Sequence, residues 1–227
     1  MDSADYNYSV TSIAPGFNEQ NPIDWINALR TSIGELKNRN ASAIESLHAI
    51  GIAGHMHGAT LLDKNGKILH PCILWNDTRS YKQASILDKE ENLREITGNI
   101  VFPGFTAPKL LWIQDNKPEL FEQVAKVLLP ASYLGYYLTG EFFMDMSDAA
   151  GTSWLDVGNR CWSEYALQAS NMRSDQMPKL LEGTQVASSV SKFIADELGI
   201  PSGVSVVAGA GDNAAAACGV GITKEGQ

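Results

Sequence analysis

The 227-residue sequence predicts an α/β domain in which helices pack on a mixed sheet. Three observations predict it. Short apolar runs rich in β-branched residues alternate along the chain with segments of helical periodicity. The apolar fraction, 44%, is enough for one sizeable core, so a single domain is expected. Glycines follow directly on two of the apolar runs, in "GIAGHMHG" and "AGAGDN", where open sheets collect ligand-binding residues. If both runs are strands, their ends can converge on one site.

The elements follow in order. After a short alternating stretch, "YNYSVTSI", Asn21 is placed to cap and Pro22 to open an amphipathic helix. Trp25, Leu29, Ile33 and Leu36 recur there at helical spacing. "LHAIGIAG" (47–54) reads as a buried strand ending in glycine, and "ATLLDKNGKILHPCILWND" (59–77) as a hairpin turning at Asn65 and Gly66. The motif "GHMHG" thus hangs at a strand end. From Arg79 the pattern is helical through "SYKQASILDKEENLREITG", "APKLLWIQDN" and "KPELFEQVA", broken by the Pro- and Gly-containing "VFPGFTAP". Helical "ASYLGYYLTG" precedes a second β region, "EFFMDMSDAAGTSWLDV". Residues 162–170 and 175–181 read as short helices, "QVASSVS" as a strand or extended link, and "SKFIADELG" as a helix. The strand "GVSVVAGAG" and the helix "NAAAACGVG" close the pattern.

Composition excludes several classes. A formal charge of −9 argues against a nucleic-acid partner, because affinity for a phosphate backbone rests on clustered Lys and Arg. No basic segment is followed by an apolar run and no window approaches 18 apolar residues, so neither export nor a membrane partner is expected. The three cysteines, Cys72, Cys161 and Cys218, are far apart and form no C-x-x-C pair, which fits a reducing cytoplasm and no thiolate metal site.

Asp212 stands alone among small residues. It can cap the Ala-rich helix that follows, and it can equally point its carboxylate into a cleft whose Gly and Ala walls admit a substrate. The positive end of the helix would keep it ionised, as a base must be. His55 and His57 share one face if their segment is extended. An H-x-H pair chelates zinc only when further ligands converge, and none is evident nearby, so a structural imidazole or a polar contact to a sugar hydroxyl remains. In "WNDTRS", Asp77 can cap a helix beginning near Arg79 and pair with that arginine. No Walker loop or dinucleotide fingerprint is present.

Taken together, "GFNEQNPIDW", "GIAGHMHGATLLD", "LHPCILWNDTRS", "ITGN", "PGFTAPKLLWIQDN", "KVLLPASYLGYYLTGEF", "DMSDAAGTSWLDV" and "VVAGAGDNAAAACGVG" resemble the FGGY carbohydrate kinases over nearly the whole chain. The resemblance implies an actin-like, ribonuclease H-like lobe, here the N-terminal, sugar-binding lobe over residues 1–227. The family's leading phosphate-loop hairpin and its C-terminal ATP-binding lobe are expected to lie outside this sequence, which makes the isolated segment inactive. The "GHMHG" and "SDAAGT" versions of the motifs imply phosphorylation of D-xylulose, with another ketose or polyol, or sugar binding without catalysis, as alternatives. ATP and Mg2+ are the implied cofactors of a complete enzyme, with neither expected to bind tightly to this segment. The resemblance makes Asp212 the base for the sugar's 5-hydroxyl, sets Met56 and His57 against the sugar, and adds Asn213 as a further contact. Removal of the leading hairpin would also expose a sheet edge near "YNYSV", through which a homodimer can form.

Overall fold

The computed structural model describes residues 1–222, 224 and 226. Its strands are short and fall into several small sheets, with helices packed around them. Asn21 caps the long helix Pro22–Arg39 as its sequence requires: its side chain accepts from the Ile23 N–H, and Pro22 occupies the first turn, where a missing N–H costs nothing. Trp25 and Ile26 bury the helix's inner face. The stretch before it forms a hairpin, Thr11–Ala14 against Phe17–Gln20, and the second strand continues the pairing onto Cys72–Ile73.

The segment 47–54 is a pair of two-residue strands, Ala49–Ile50 and Ala53–Gly54, and it is not fully buried as expected. Ile50 and Ile52 pack on the apolar cluster of Leu138, Phe143, Ile194 and Val206, whereas Ala49, Gly51 and Ala53 face solvent. A period of two therefore applies where a continuous apolar run was read, because only one face of this sheet is covered. Ser205–Val207 runs parallel to Ala49–Ile50, and Ala210–Gly211 runs parallel to Ala53–Gly54 with Gly211 opposite Gly54.

A turn does form at Asn65 and Gly66, where the Asp63 carboxylate accepts from the N–H groups of Asn65 and Lys67 and Gly66 takes a positive φ of 77°. The strand before it, Thr60–Leu62, finds its main partner elsewhere, antiparallel to Lys126–Leu128. The second β region is interrupted: strand Phe143–Asp145 leads into helix Met146–Ala150, capped by Asp145, before strand Leu155–Asp156. Residues 175–181 are not a helix. A single 3-10 turn, Ser174–Gln176, stops ahead of Pro178, and Lys179–Leu181 then pairs in parallel with Phe143–Asp145, a non-local pairing that outweighs local helical spacing.

Asp77 does not cap a helix. The helix begins at Tyr81 after Ser80, while the Asp77 carboxylate accepts from the Asn18 and Arg79 N–H groups and from the Arg79 guanidinium at 2.6–3.0 Å. Arg79 also bonds Glu19 at 2.7 Å, and its guanidinium lies 4.1 Å from the Phe17 ring centroid and 5.0 Å from that of Trp112. This buried set ties the first hairpin to the helix Thr106–Asn116. Among the described residues no helix is long and apolar enough to cross a membrane.

Removing the cation leaves two buried carboxylates unpaired, so Arg79→Met is expected to lower the unfolding free energy by about 3–5 kcal/mol in urea denaturation. A loss below about 1 kcal/mol would show that the group is solvated and marginal.

Candidate functional site

The parallel pairing of Ala53–Gly54 with Ala210–Gly211 brings the two glycine-ended motifs side by side. From one strand the chain enters the loop 55–58; from the other it enters the helix Asp212–Gly219. Asp212 is the first residue of that helix and not its cap. Gly211 takes the cap position with extended backbone, and its N–H is bound by the Ser147 hydroxyl at 3.0 Å. The Asp212 carboxylate accepts from the Asn213 N–H at 2.8 Å, and both residues are exposed. The sequence expectation was one residue out, and the shift leaves the carboxylate on the open side of the helix start.

His57 adopts a left-handed backbone with φ of 68°, a conformation that costs a residue with a side chain about 1–2 kcal/mol. The segment is therefore not extended, and the two imidazoles part. His55 sets its ring edge-on to Trp25, while His57 stacks on Phe105 with centroids 4.6 Å apart. The His57 Nδ1 lies 2.7 Å from the Gly151 carbonyl oxygen. A carbonyl only accepts, so Nδ1 carries the proton and Nε2 of the neutral ring is an acceptor. Burial holds the His57 pKa below the ordinary imidazole value, which preserves that neutral form, and drives His55 down to about 4. Asp212 is near enough to act electrostatically on both rings.

Met56 and His57 reach this position because two neighbours lack side chains. A Cβ on Gly151 would lie 2.5 Å from the His57 ring and 3.0 Å from Met56 Cε; one on Gly211 would lie 2.8 Å from Met56 Cγ. Beneath them is Asp148, which the sequence reading did not single out. It is fully buried, neither carboxylate oxygen has a hydrogen-bond partner, and Oδ1 would be 3.1 Å from a Cβ on Gly211. Burial, then the nearby Asp145 and Asp212, raise its pKa well above the carboxylate range.

Lys109 was also missed, because a lysine within a helix is ordinarily solvated. Its side chain is fully buried, and Nζ donates to the His57 carbonyl at 2.7 Å and the Gly104 carbonyl at 2.6 Å. Burial pulls its pKa down to about 7. The detectable signal was its position on the same helix face as Thr106, Leu110 and Ile113, all of which are buried. Among the described residues no group of three or more His, Cys, Asp or Glu side chains is gathered to hold a metal. The site thus offers an exposed carboxylate, a neutral imidazole acceptor and closely approachable Gly and Ala backbone: features suited to a polyhydroxylated ligand that must give up a proton.

Comparison with known proteins identifies the family. Residues 1–219 match the model of the N-terminal domain of the FGGY family of carbohydrate kinases. The xylulose kinase of Escherichia coli K12 is 48% identical over 214 residues, covering 94% of this chain and 44% of that protein. The xylulose kinase of Lactococcus lactis is 41% identical over 220 residues, covering 96% and 44%. The crystal structure of a xyloylose kinase from Brucella ovis superposes with a TM-score of 0.94 at 50% identity, over 96% of this chain and 45% of that one. The chain thus spans less than half the length of the curated relatives it matches.

Asp148 generates a pH prediction. Its folded-state pKa is raised, so the folded protein binds its proton more tightly than the unfolded chain, and its contribution to stability falls as pH rises above the unfolded value near 3.8. Asp148→Asn removes this penalty. The variant is expected to melt higher than the parent at pH 8, by about 2–4 °C for each kcal/mol recovered, with the difference shrinking toward pH 4. Thermal melts with parallel pH profiles would rule out a buried, unpartnered carboxylate.

Proposed function

The chain belongs to the FGGY family of carbohydrate kinases, and we propose that residues 1–227 form the sugar-binding lobe of a xylulose kinase. In this reading the complete enzyme transfers the terminal phosphoryl group of ATP to the 5-hydroxyl of D-xylulose, giving D-xylulose 5-phosphate and ADP. The observation that carries it is the juxtaposition of exposed Asp212 with the neutral His57 ring across the paired strand ends. The names of the relatives support the choice of sugar.

Asp212 takes the proton from the 5-hydroxyl as that oxygen bonds to phosphorus and the bond to the ADP oxygen breaks. His57 Nε2 accepts from a sugar hydroxyl, with Nδ1 held by Gly151 so that the acceptor stays on the sugar side of the tautomer. Met56, wedged between Gly151 and Gly211, packs against the carbon face of the sugar, and Asn213 offers an amide beside the base. The ATP and divalent cation of such kinases supply the phosphoryl group and neutralise its charge when bound.

The test has two parts. In a full-length kinase carrying this lobe, Asp212→Asn is expected to lower kcat about 10²–10⁴-fold while KM for D-xylulose moves by less than about threefold. Calorimetric titration of the 227-residue chain should show saturable binding of D-xylulose in preference to glycerol or ribulose. Retention of more than about a tenth of turnover would remove Asp212 from the role of base; preferential binding of glycerol would replace the sugar.

A further inference from the structure

A fully buried lysine needs a reason. Lys109 sits on the apolar face of the helix Thr106–Asn116, between Thr106 and Leu110, where Leu or Met would fill the space without a desolvated charge. Its two acceptors are not a random pair of carbonyls. One belongs to His57, the left-handed residue of the loop 55–58. The other belongs to Gly104, the residue immediately before Phe105, whose ring stacks on His57. A second donor from the same helix, the Thr106 hydroxyl, reaches the His57 carbonyl at 3.2 Å. One helix end therefore grips the backbone on both sides of the His57–Phe105 stack.

We propose that Lys109 is a positioning residue for the sugar site: by holding the carbonyls of His57 and Gly104 it fixes the left-handed turn at His57 and so aims the imidazole, without itself touching the ligand. The inference rests on the reading of the loop 55–58 as a sugar contact only in its functional consequence; the positioning itself concerns the free protein. Two observations support it. The imidazole is pinned at its other end by Gly151, so ring and carbonyl are each held and the backbone between them has little freedom to leave the strained conformation. The amine also retains enough N–H donors for both carbonyls whether it is charged or neutral, so the clamp survives deprotonation.

The experiment compares the parent chain with Lys109→Met, Thr106→Val and Leu110→Ala, using thermal melts, the 15N shifts of the His57 ring and calorimetric titration with D-xylulose. Leu110 is the control: it is the next residue on the same helix, fully buried in the apolar cluster, and its side chain has no donor to offer the loop carbonyls. The parent ring should report the Nδ1–H tautomer. In Lys109→Met that population should fall toward the Nε2–H form usual for free imidazole, and the dissociation constant for D-xylulose should rise about tenfold or more. Thr106→Val, which keeps the amine, should shift both readouts in the same direction by about threefold or less. Leu110→Ala should lower the melting temperature but leave both within about twofold of the parent.

An unchanged His57 tautomer in folded Lys109→Met would overturn the proposal, as would equal changes in Leu110→Ala, which would make Lys109 an ordinary core residue. If Lys109→Met does not fold, Thr106→Val decides by the same criterion. Failure of the parent to bind D-xylulose would count against the sugar reading while the tautomer measurement still judged the clamp.

Discussion

The site depends on one short pairing. Two dipeptides, Ala53–Gly54 and Ala210–Gly211, lie parallel, and everything that gathers around Asp212 does so because these two strands end together. Neither strand can hold the register by length. It is held from outside, by Ile50, Ile52 and Val206 in the core below, by the Ser147 hydroxyl on the Gly211 N–H, and by the absence of a Cβ where Met56 and the His57 ring pass Gly211 and Gly151. A one-residue slip would turn each alternate side chain to the opposite face and take the loop away from the helix start.

Around this pairing the molecule places buried polar groups under two different regimes. The Glu19–Asp77–Arg79 set is saturated: each carboxylate meets the guanidinium, Asp77 also takes two backbone N–H bonds, and aromatic rings flank the cation. Such a network fixes where the first hairpin lies and is stable once complete. Asp148 is the opposite case, desolvated with no partner, directly under the residues that line the site. Both segments of the site carry buried polar atoms without a partner, His55 in the loop 55–58 and Asp148 in the turn 148–151, and Thr60, Gln83 and Ser153 do so elsewhere.

Much of this architecture was legible in the residues. Asn21 and Pro22 announced a helix start, the Asn65–Gly66 turn was local chemistry, and the two glycine-ended apolar runs do end side by side. The roles proposed for Met56, His57, Asp212 and Asn213 come from the family resemblance, because spacing alone could not supply them. What was misread depended on partners far away in sequence. Residues 175–181 carry helical spacing, but the free edge of Phe143–Asp145 recruits Lys179–Leu181 as a strand. Asp77 does pair with Arg79 as read, but its remaining acceptor capacity goes to the backbone of distant Asn18 and of Arg79 and not to a helix start. Lys109 drew no reading at all: a charge in a helix is ordinarily solvated, and its burial is matched by the carbonyls of His57 and Gly104.

The helix that presents Asp212 buries none of its residues. It lies against the strands Ala53–Gly54 and Ala210–Gly211 without a fully buried residue, and eight residues are too few for a helix to persist alone in water. Bulky side chains would solve that problem by packing but would close the space in front of the carboxylate. Alanine escapes the conflict, being at once the smallest side chain that still restricts the backbone and the strongest helix former. The run "AAAA" from 214 to 217 is therefore a compromise between vacancy and rigidity: the segment stays slender enough to leave its surroundings open, and the intrinsic preference of its residues supplies the stiffness that contacts elsewhere provide.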